Sequence, residues 1–218
     1  PSAPSSSPSL TLTSVNVTSL QSRIRHLGPL VDQRGICCCQ ETGITTSAQG
    51  RLMQMMREED WDNLIHGPWA APKEREAKGD RRAYRERGLS GGGGVGILSA
   101  RIKGVAITPP PPESRDPFWE TLQNSGRWVG AAFPLPAGST LFVHNLYLHT
   151  RARQVADIRP DAEELLRAAF LAGSLHGNAP VVICGDMNMA PEDSQVWDQA
   201  MQSGKWHDAI TSFSHLPD

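Results

Sequence analysis

Residues Val181 to Asp193 read VVICGDMNMAPED. Val181 to Cys184 make an apolar run of strand length, and Gly185 ends it. Asp186 and Asn188 follow, two apart, so extended backbone places them on one face. A carboxylate and an amide at the end of a buried strand aim at a common object, and a metal-bound phosphate with its attacking water suits the pair. A turn at Gly185–Asp186 closed by an Asx hydrogen bond suits it as well.

The same pattern recurs upstream. Asn16 follows LTLTSV, Glu41 follows GICCCQ, and Tyr147 sits late in LFVHNLYLH. Each is a polar residue after an apolar run, and rigid strands place such side chains well. One Glu, one Asp and two Asn form a hard-oxygen donor set, suited to Mg²⁺ or Mn²⁺ rather than zinc. Taken singly, Asn16 also fits a cap for the next helix and Glu41 a solvated strand end.

Around these ends the chain mixes hairpin-like strands with helices. Residues 1–9, PSAPSSSPS, are low in complexity and are expected to be disordered. Strands are expected at LTLTSVNV, GICCCQE, GGGGVGILSA, RWVGAAFPL, STLFVHNLYLH and VVIC. Helices are expected from a cap at Thr18 or Ser19, from a cap near Thr46, from Pro160 to Leu175, and from about Glu192 to Ser203. Residues 67–90 are expected to form a long loop. The mixture predicts an α/β (α+β) four-layer sandwich, two packed mixed β-sheets flanked by helices.

The net charge is −2 and the sequence pI about 6.4, so nothing in the overall charge attracts nucleic acid or membrane. No apolar run is long enough to span a bilayer. The four cysteines, Cys37, Cys38, Cys39 and Cys184, lack metal-site spacing and read as small core residues in a reducing, intracellular compartment, the nucleus included. Positive charge is local: Lys73, Arg75, Lys78, Arg81, Arg82, Arg85 and Arg87 crowd one loop. That loop fits a solvated charged loop first, and a grip on a nucleic-acid backbone as the alternative. Trp119 and Trp128 fit base stacking or core packing. His144 should face away from Asn145 and Tyr147. His149 shares the Tyr147 face and is a candidate substrate contact. His26, His66, His176 and His207 are expected to be solvated.

SVNVTSL, CCCQETG, GGGGVGIL, HNLYLHT, VVICGDMNMAPED and KWHDAI, in that order, resemble the endonuclease/exonuclease/phosphatase superfamily over about Leu10 to Ile210. GDMNMAPED is closest to its exonuclease III-like branch, and retrotransposon endonucleases share the pattern. The resemblance implies Glu41 as main metal ligand with Asn16 beside it. It implies Tyr147 on the scissile phosphate, Asp186 orienting or deprotonating water, and Asn188 bonding the phosphate as it becomes pentacovalent. It also implies Mg²⁺ (or Mn²⁺) as cofactor, DNA as partner and a monomer. Family members close with a Ser-Asp-His, whereas the tail TSFSHLPD offers Ser214 and His215 without it. Residues 11–218 are therefore expected to form an incomplete domain, weak or inactive alone. The leading reading is a Mg²⁺-dependent DNA endonuclease. The alternatives are a phosphatase for lipid or small-molecule phosphoesters and a degenerate domain that only binds nucleic acid or protein.

Overall fold

The structure, a computed structural model, describes residues 9–30, 35–44, 49–67, 94–149, 152, 158–209 and 212. Two four-stranded sheets carry the fold. The first holds β1 (Thr11–Asn16), β2 (Gly35–Gln40), β3 (Asn63–His66) and β4 (Val95–Ala100), in the order β1-β2-β4-β3. The second holds β5 (Val105–Ala106), β6 (Trp128–Pro134), β7 (Thr140–Tyr147) and β8 (Val181–Asp186), in chain order. In each sheet one outer pair is parallel, β1 with β2 and β7 with β8, and the others are antiparallel. Both sheets are thus mixed, as the alternation of hairpins and crossovers requires.

Helices α1 (Leu20–Leu27) and α2 (Gln49–Glu58) cover the first sheet. Helices α3 (Pro117–Ser125), α4 (Arg159–Ser174) and α5 (Gln195–Gln202) cover the second. Strand alternation sorts the side chains into three apolar layers. Cys37 and Cys39 point out against Leu20, Ile24 and Leu52, while Cys38 points in with Ile97 and Phe133. Every residue of β2 is buried, as its unbroken apolar run foretold. The four cysteines are free thiols in the two core strands, three of them fully buried. Burial raises the Cys38 and Cys39 thiols further, after their sulfur hydrogen bonds to Cys184 and Cys37, so both stay protonated. Trp119 and Trp128 are buried and meet edge to face at 5.9 Å, so they are core residues.

Alternation also holds in β7. His144 faces the helical layer and is fully buried, whereas Asn145 and Tyr147 face the other sheet. Trp128 donates Nε1–H to His144 Nδ1 at 3.2 Å, which leaves the neutral ring's proton on Nε2. Burial, then the nearby His176, pushes His144 down to about 3 from an ordinary 6.5. On acidification the unfolded chain therefore takes up this proton first. The stability gained by keeping His144 neutral is complete above pH 6.5 and is lost as pH falls from 6.5 towards 3, at about 1.4 kcal/mol per pH unit. Thermal unfolding between pH 7 and pH 4 should show a shallower acid loss for His144→Asn than for the wild type. Equal slopes would disprove the assignment.

Three expectations need correction. Ser19 occupies the N-cap position of α1, but its side chain makes no capping bond. His66 is not solvated: it ends β3, Thr42 Oγ1 donates to its Nε2 at 2.8 Å, and its Nδ1 donates to Gly67 O at 2.8 Å. Burial lowers its pKa. His176 stacks on Phe142 at 3.6 Å rather than standing in water. His26 and His207 are exposed as expected.

Candidate active site at the strand ends

β1, β2, β7 and β8 finish at one edge of the sandwich. Asn16 pairs in register with Gln40, and Tyr147 with Asp186. The antiparallel β4 and β6 begin there. The parallel pairs therefore deliver Asn16, Glu41, Tyr147 and Asp186 to the same place from two different sheets.

Hydrogen bonds join the four. Asn16 Nδ2 donates to Glu41 Oε1 and to Asp186 Oδ2, both at 3.0 Å. Tyr147 Oη donates to Glu41 Oε1 at 2.6 Å. Burial, then Glu41's bond and charge, raises the Tyr147 phenol well above its ordinary 10.0, so it remains a donor. Asn16 Oδ1 is turned the other way and accepts from Thr18 N–H at 3.2 Å. Asn16 thus serves a local turn with its oxygen and the two carboxylates with its nitrogen.

The turn chemistry at Asp186 is also double. Asp186 Oδ1 accepts from Asn188 N–H at 3.1 Å, which is the Asx bond that the sequence allowed. β8 stops at Asp186 and Asn188 lies at φ 49°, so the two do not share a face by strand alternation. Asn188 instead folds back, and its Nδ2 donates to Leu148 O at 3.0 Å. Among the described non-glycine residues, positive φ falls at Thr18, Glu41, Asp60, Arg101 and Asn188. Three of these belong to this edge, where local strain is held by the surrounding bonds.

Gly185 makes the close approach possible. Its φ is +143°, and a Cβ there would overlap the Leu146 carbonyl oxygen and lie 2.7 Å from its carbon. Only glycine lets β8 press this closely on β7 one residue before Asp186.

Arg127 was not anticipated. It is 8% exposed, its NH1 donates to Tyr147 O at 3.2 Å and Leu148 O at 3.4 Å, and its guanidinium lies 5.0 Å from the centre of the Tyr147 ring. A charge heading the apolar run RWVGAAF was a signal. A search of strand finishes missed it because β6 runs the other way and begins at this edge. His149 is half-buried near Arg127. Burial and that cation lower its pKa, with Asp161 opposing. Among the described residues no hydrogen bond joins His149 to the Glu41–Asp186 group. Arg81, Arg82, Arg85, Ser214 and His215 lie outside the described residues.

The donor atoms are suited to a divalent ion of the Mg²⁺ type. Two carboxylates 3.0 Å from a shared amide supply hard oxygen ligands, and such an ion fills its remaining positions with water. Among the described residues no group of three or more His, Cys, Asp or Glu is placed to hold a metal, so a closed zinc-like site is not formed by them.

Two mixed sheets between helical layers, with carboxylates and amides gathered at one edge, define a class of α/β sandwich hydrolases. Residues 15–216 match the family described as the Endonuclease/Exonuclease/phosphatase family, and the chain belongs to it. The family comprises hydrolases of phosphoesters. No curated protein matches the chain significantly. Among solved structures it is similar to a beta-hairpin deletion mutant of beta toxin from Staphylococcus aureus. That match has 13% identity and TM-score 0.52, over 90% of this chain and 73% of the other. It is also similar to AP endonuclease LMAP from Leishmania major (16%, TM-score 0.49, 87% and 65%). A third is the APE2 catalytic domain of Xenopus laevis (14%, TM-score 0.46, 83% and 58%). At such identities the likeness concerns the fold. The chain spans 73% of the length of the beta toxin variant and 43% of that of ANGEL2, a 2',3'-cyclic phosphatase whose structure it also matches. Among the described residues no helix is long and apolar enough to cross a membrane.

Proposed function

We propose that the chain carries the catalytic core of a Mg²⁺- or Mn²⁺-dependent phosphodiesterase that cuts DNA as an endonuclease. The observation that carries this is the Asn16 amide bridging Glu41 and Asp186 across the two sheets. The choice of DNA draws on the exonuclease III-like GDMNMAPED and on the arginines 81, 82 and 85.

In this reading Glu41, with Asn16 beside it, holds the ion, which when bound neutralises charge growing on the phosphoryl oxygens. Asp186 orients a water and takes its proton as the new O–P bond forms and the opposite P–O bond breaks. Asn16 and Asn188 N–H, both bonded to Asp186, keep the carboxylate aimed. Tyr147, held protonated and donating to Glu41, turns its one O–H to a phosphate oxygen when Glu41 engages the ion. The Nδ2 of Asn188 carries a second proton for a phosphoryl oxygen that gains charge in the transition state. Arg127 steadies the Tyr147 ring. His149 and the arginines 81, 82 and 85 are assigned to contact with the flanking strand of the substrate.

The test is nicking of supercoiled plasmid by the chain at its full natural length. Nicking should require Mg²⁺ or Mn²⁺ and stop with chelator. Glu41→Gln should bind Mn²⁺ at least about tenfold more weakly, because one of few charged ligands is gone. Equal Mn²⁺ affinities would remove Glu41 from the metal site, and absence of nicking under all conditions would remove the endonuclease reading.

A further inference from the structure

Over most of their area the two sheets meet through apolar side chains such as Ile36, Ile97, Ala131, Phe133 and Val143. At the catalytic edge the filling changes to two carboxamides. Gln40, the last residue of β2, is 1% exposed, and Asn145 in β7 is fully buried. Gln40 Nε2 donates to Asn145 Oδ1 at 2.6 Å and is shared with Ser14 Oγ and Cys38 O, each at 3.2 Å. Asn145 Nδ2 reaches back across the gap to Cys39 O at 3.0 Å and Gly96 O at 2.9 Å. One network therefore ties β1, β2 and β4 of the first sheet to β7 of the second.

Folding alone does not call for these groups. Burying two amides in an apolar layer is costly unless every bond is made, and an apolar pair of similar volume would fill the space at less risk. Apolar contacts are non-directional and tolerate sliding of one sheet over the other, whereas short hydrogen bonds fix it. The place where sliding is stopped is telling. Gln40 directly precedes Glu41. Asn145 stands two residues before Tyr147, whose partner in register is Asp186.

We propose that Gln40 and Asn145 form an inter-sheet clamp that sets the reach from Glu41 to Tyr147 and Asp186, and that both are positioning residues. Neither joins the hydrogen-bonded group of Asn16, Glu41, Tyr147 and Asp186. They act through the 2.6 Å bond from Tyr147 to Glu41 and through the Asn16 bridge. The consequence for catalysis rests on the phosphodiesterase reading, while the consequence for geometry does not.

The chain has two tyrosines, Tyr84 and Tyr147, so ¹³C labelling at tyrosine Cζ gives a signal for Tyr147 once Tyr84→Phe has assigned the other. A Glu41→Gln chain supplies the Tyr147 signal without its carboxylate acceptor. Wild type, Gln40→Met, Asn145→Leu and the double variant are then compared by melting temperature, Tyr147 signal and plasmid nicking with Mn²⁺. Each single change strips a buried amide of a partner and should lower the melting temperature. Relative to Asn145→Leu, the double variant should recover the part of that loss owed to the stranded Gln40 amide, because both side chains become apolar while Cys39 O and Gly96 O lose the same donor in each. Its Tyr147 signal should nevertheless move towards the Glu41→Gln position, and nicking should fall by about tenfold or more, as misplaced catalytic groups cost rate. A recovered melting temperature with an unmoved Tyr147 signal overturns the clamp, whatever the activity. A moved signal in a protein whose wild type never nicks DNA upholds the clamp and removes the endonuclease reading. Should the double variant not fold, Gln40→Met, which keeps both Asn145 donations, is judged by the same signal.

Discussion

Replacing Asp186 by alanine is expected to lower nicking by about 10²- to 10⁴-fold, the usual worth of a placed proton acceptor. The size follows from how much hangs on one carboxylate. Its Oδ2 accepts from Asn16 and its Oδ1 from the Asn188 amide, so its removal also releases two neighbours. Asp186→Asn separates these effects. It keeps an oxygen for one of the two bonds but cannot take a proton, so its rate should fall nearly as far while its melting temperature falls less. Initial rates on supercoiled plasmid, beside thermal unfolding, read both quantities. An Asp186→Ala protein that nicks at the wild-type rate would show that water is activated elsewhere.

Gly185→Ala should be strongly damaging for a single added methyl. At φ +143° an L side chain is strained, and the new Cβ would sit 2.8 Å from the Leu146 nitrogen as well as on its carbonyl. These are backbone atoms, which cannot rotate aside, so β8 must retreat from β7. A cost of roughly 3 kcal/mol or more is expected, combining backbone strain with overpacking. Urea unfolding measures it. Gly138→Ala is the control: Gly138 is also at positive φ, but a Cβ there meets nothing within 4 Å. It should cost clearly less, and equal losses would mean that φ alone, not the approach to Leu146, dictates glycine at 185.

Much of the architecture was written in apolar runs. β2, β4, β7 and β8 announced themselves because each is a compact apolar segment, and the alternation in β7 separated His144 from Asn145 and Tyr147. β3 and β5 escaped notice because they are four and two residues long, too short for periodicity to register. Missing β3 produced the error at His66, which was expected to be solvated because its strand was not seen. α3 carried its own marks, Asp116 before Pro117 and Gly126 after Ser125, but it buries few residues and so shows little apolar periodicity. The candidate site was legible as residue types and order. What the sequence hid was direction: which strand starts share an edge with which strand ends. Arg127 at the start of β6 was lost for that reason. Asn145 was visible in HNLYLH, yet nothing local reveals that its partner lies on the other sheet.

The bonds that bring the two sheets' side chains together at that site are all long-range. The Asn16–Asp186 bond spans 170 residues of chain, and the Tyr147–Glu41 bond spans 106. Each closes a long loop whose entropy must be paid before the bond forms. Neither helices nor single hairpins can assemble any part of it alone. A refolding chain should therefore regain helical signal early and Mn²⁺ affinity only in its slowest phase, when the sheets dock. On the proposed function, metal binding then reports completed folding, and partly folded molecules should be unable to cut DNA.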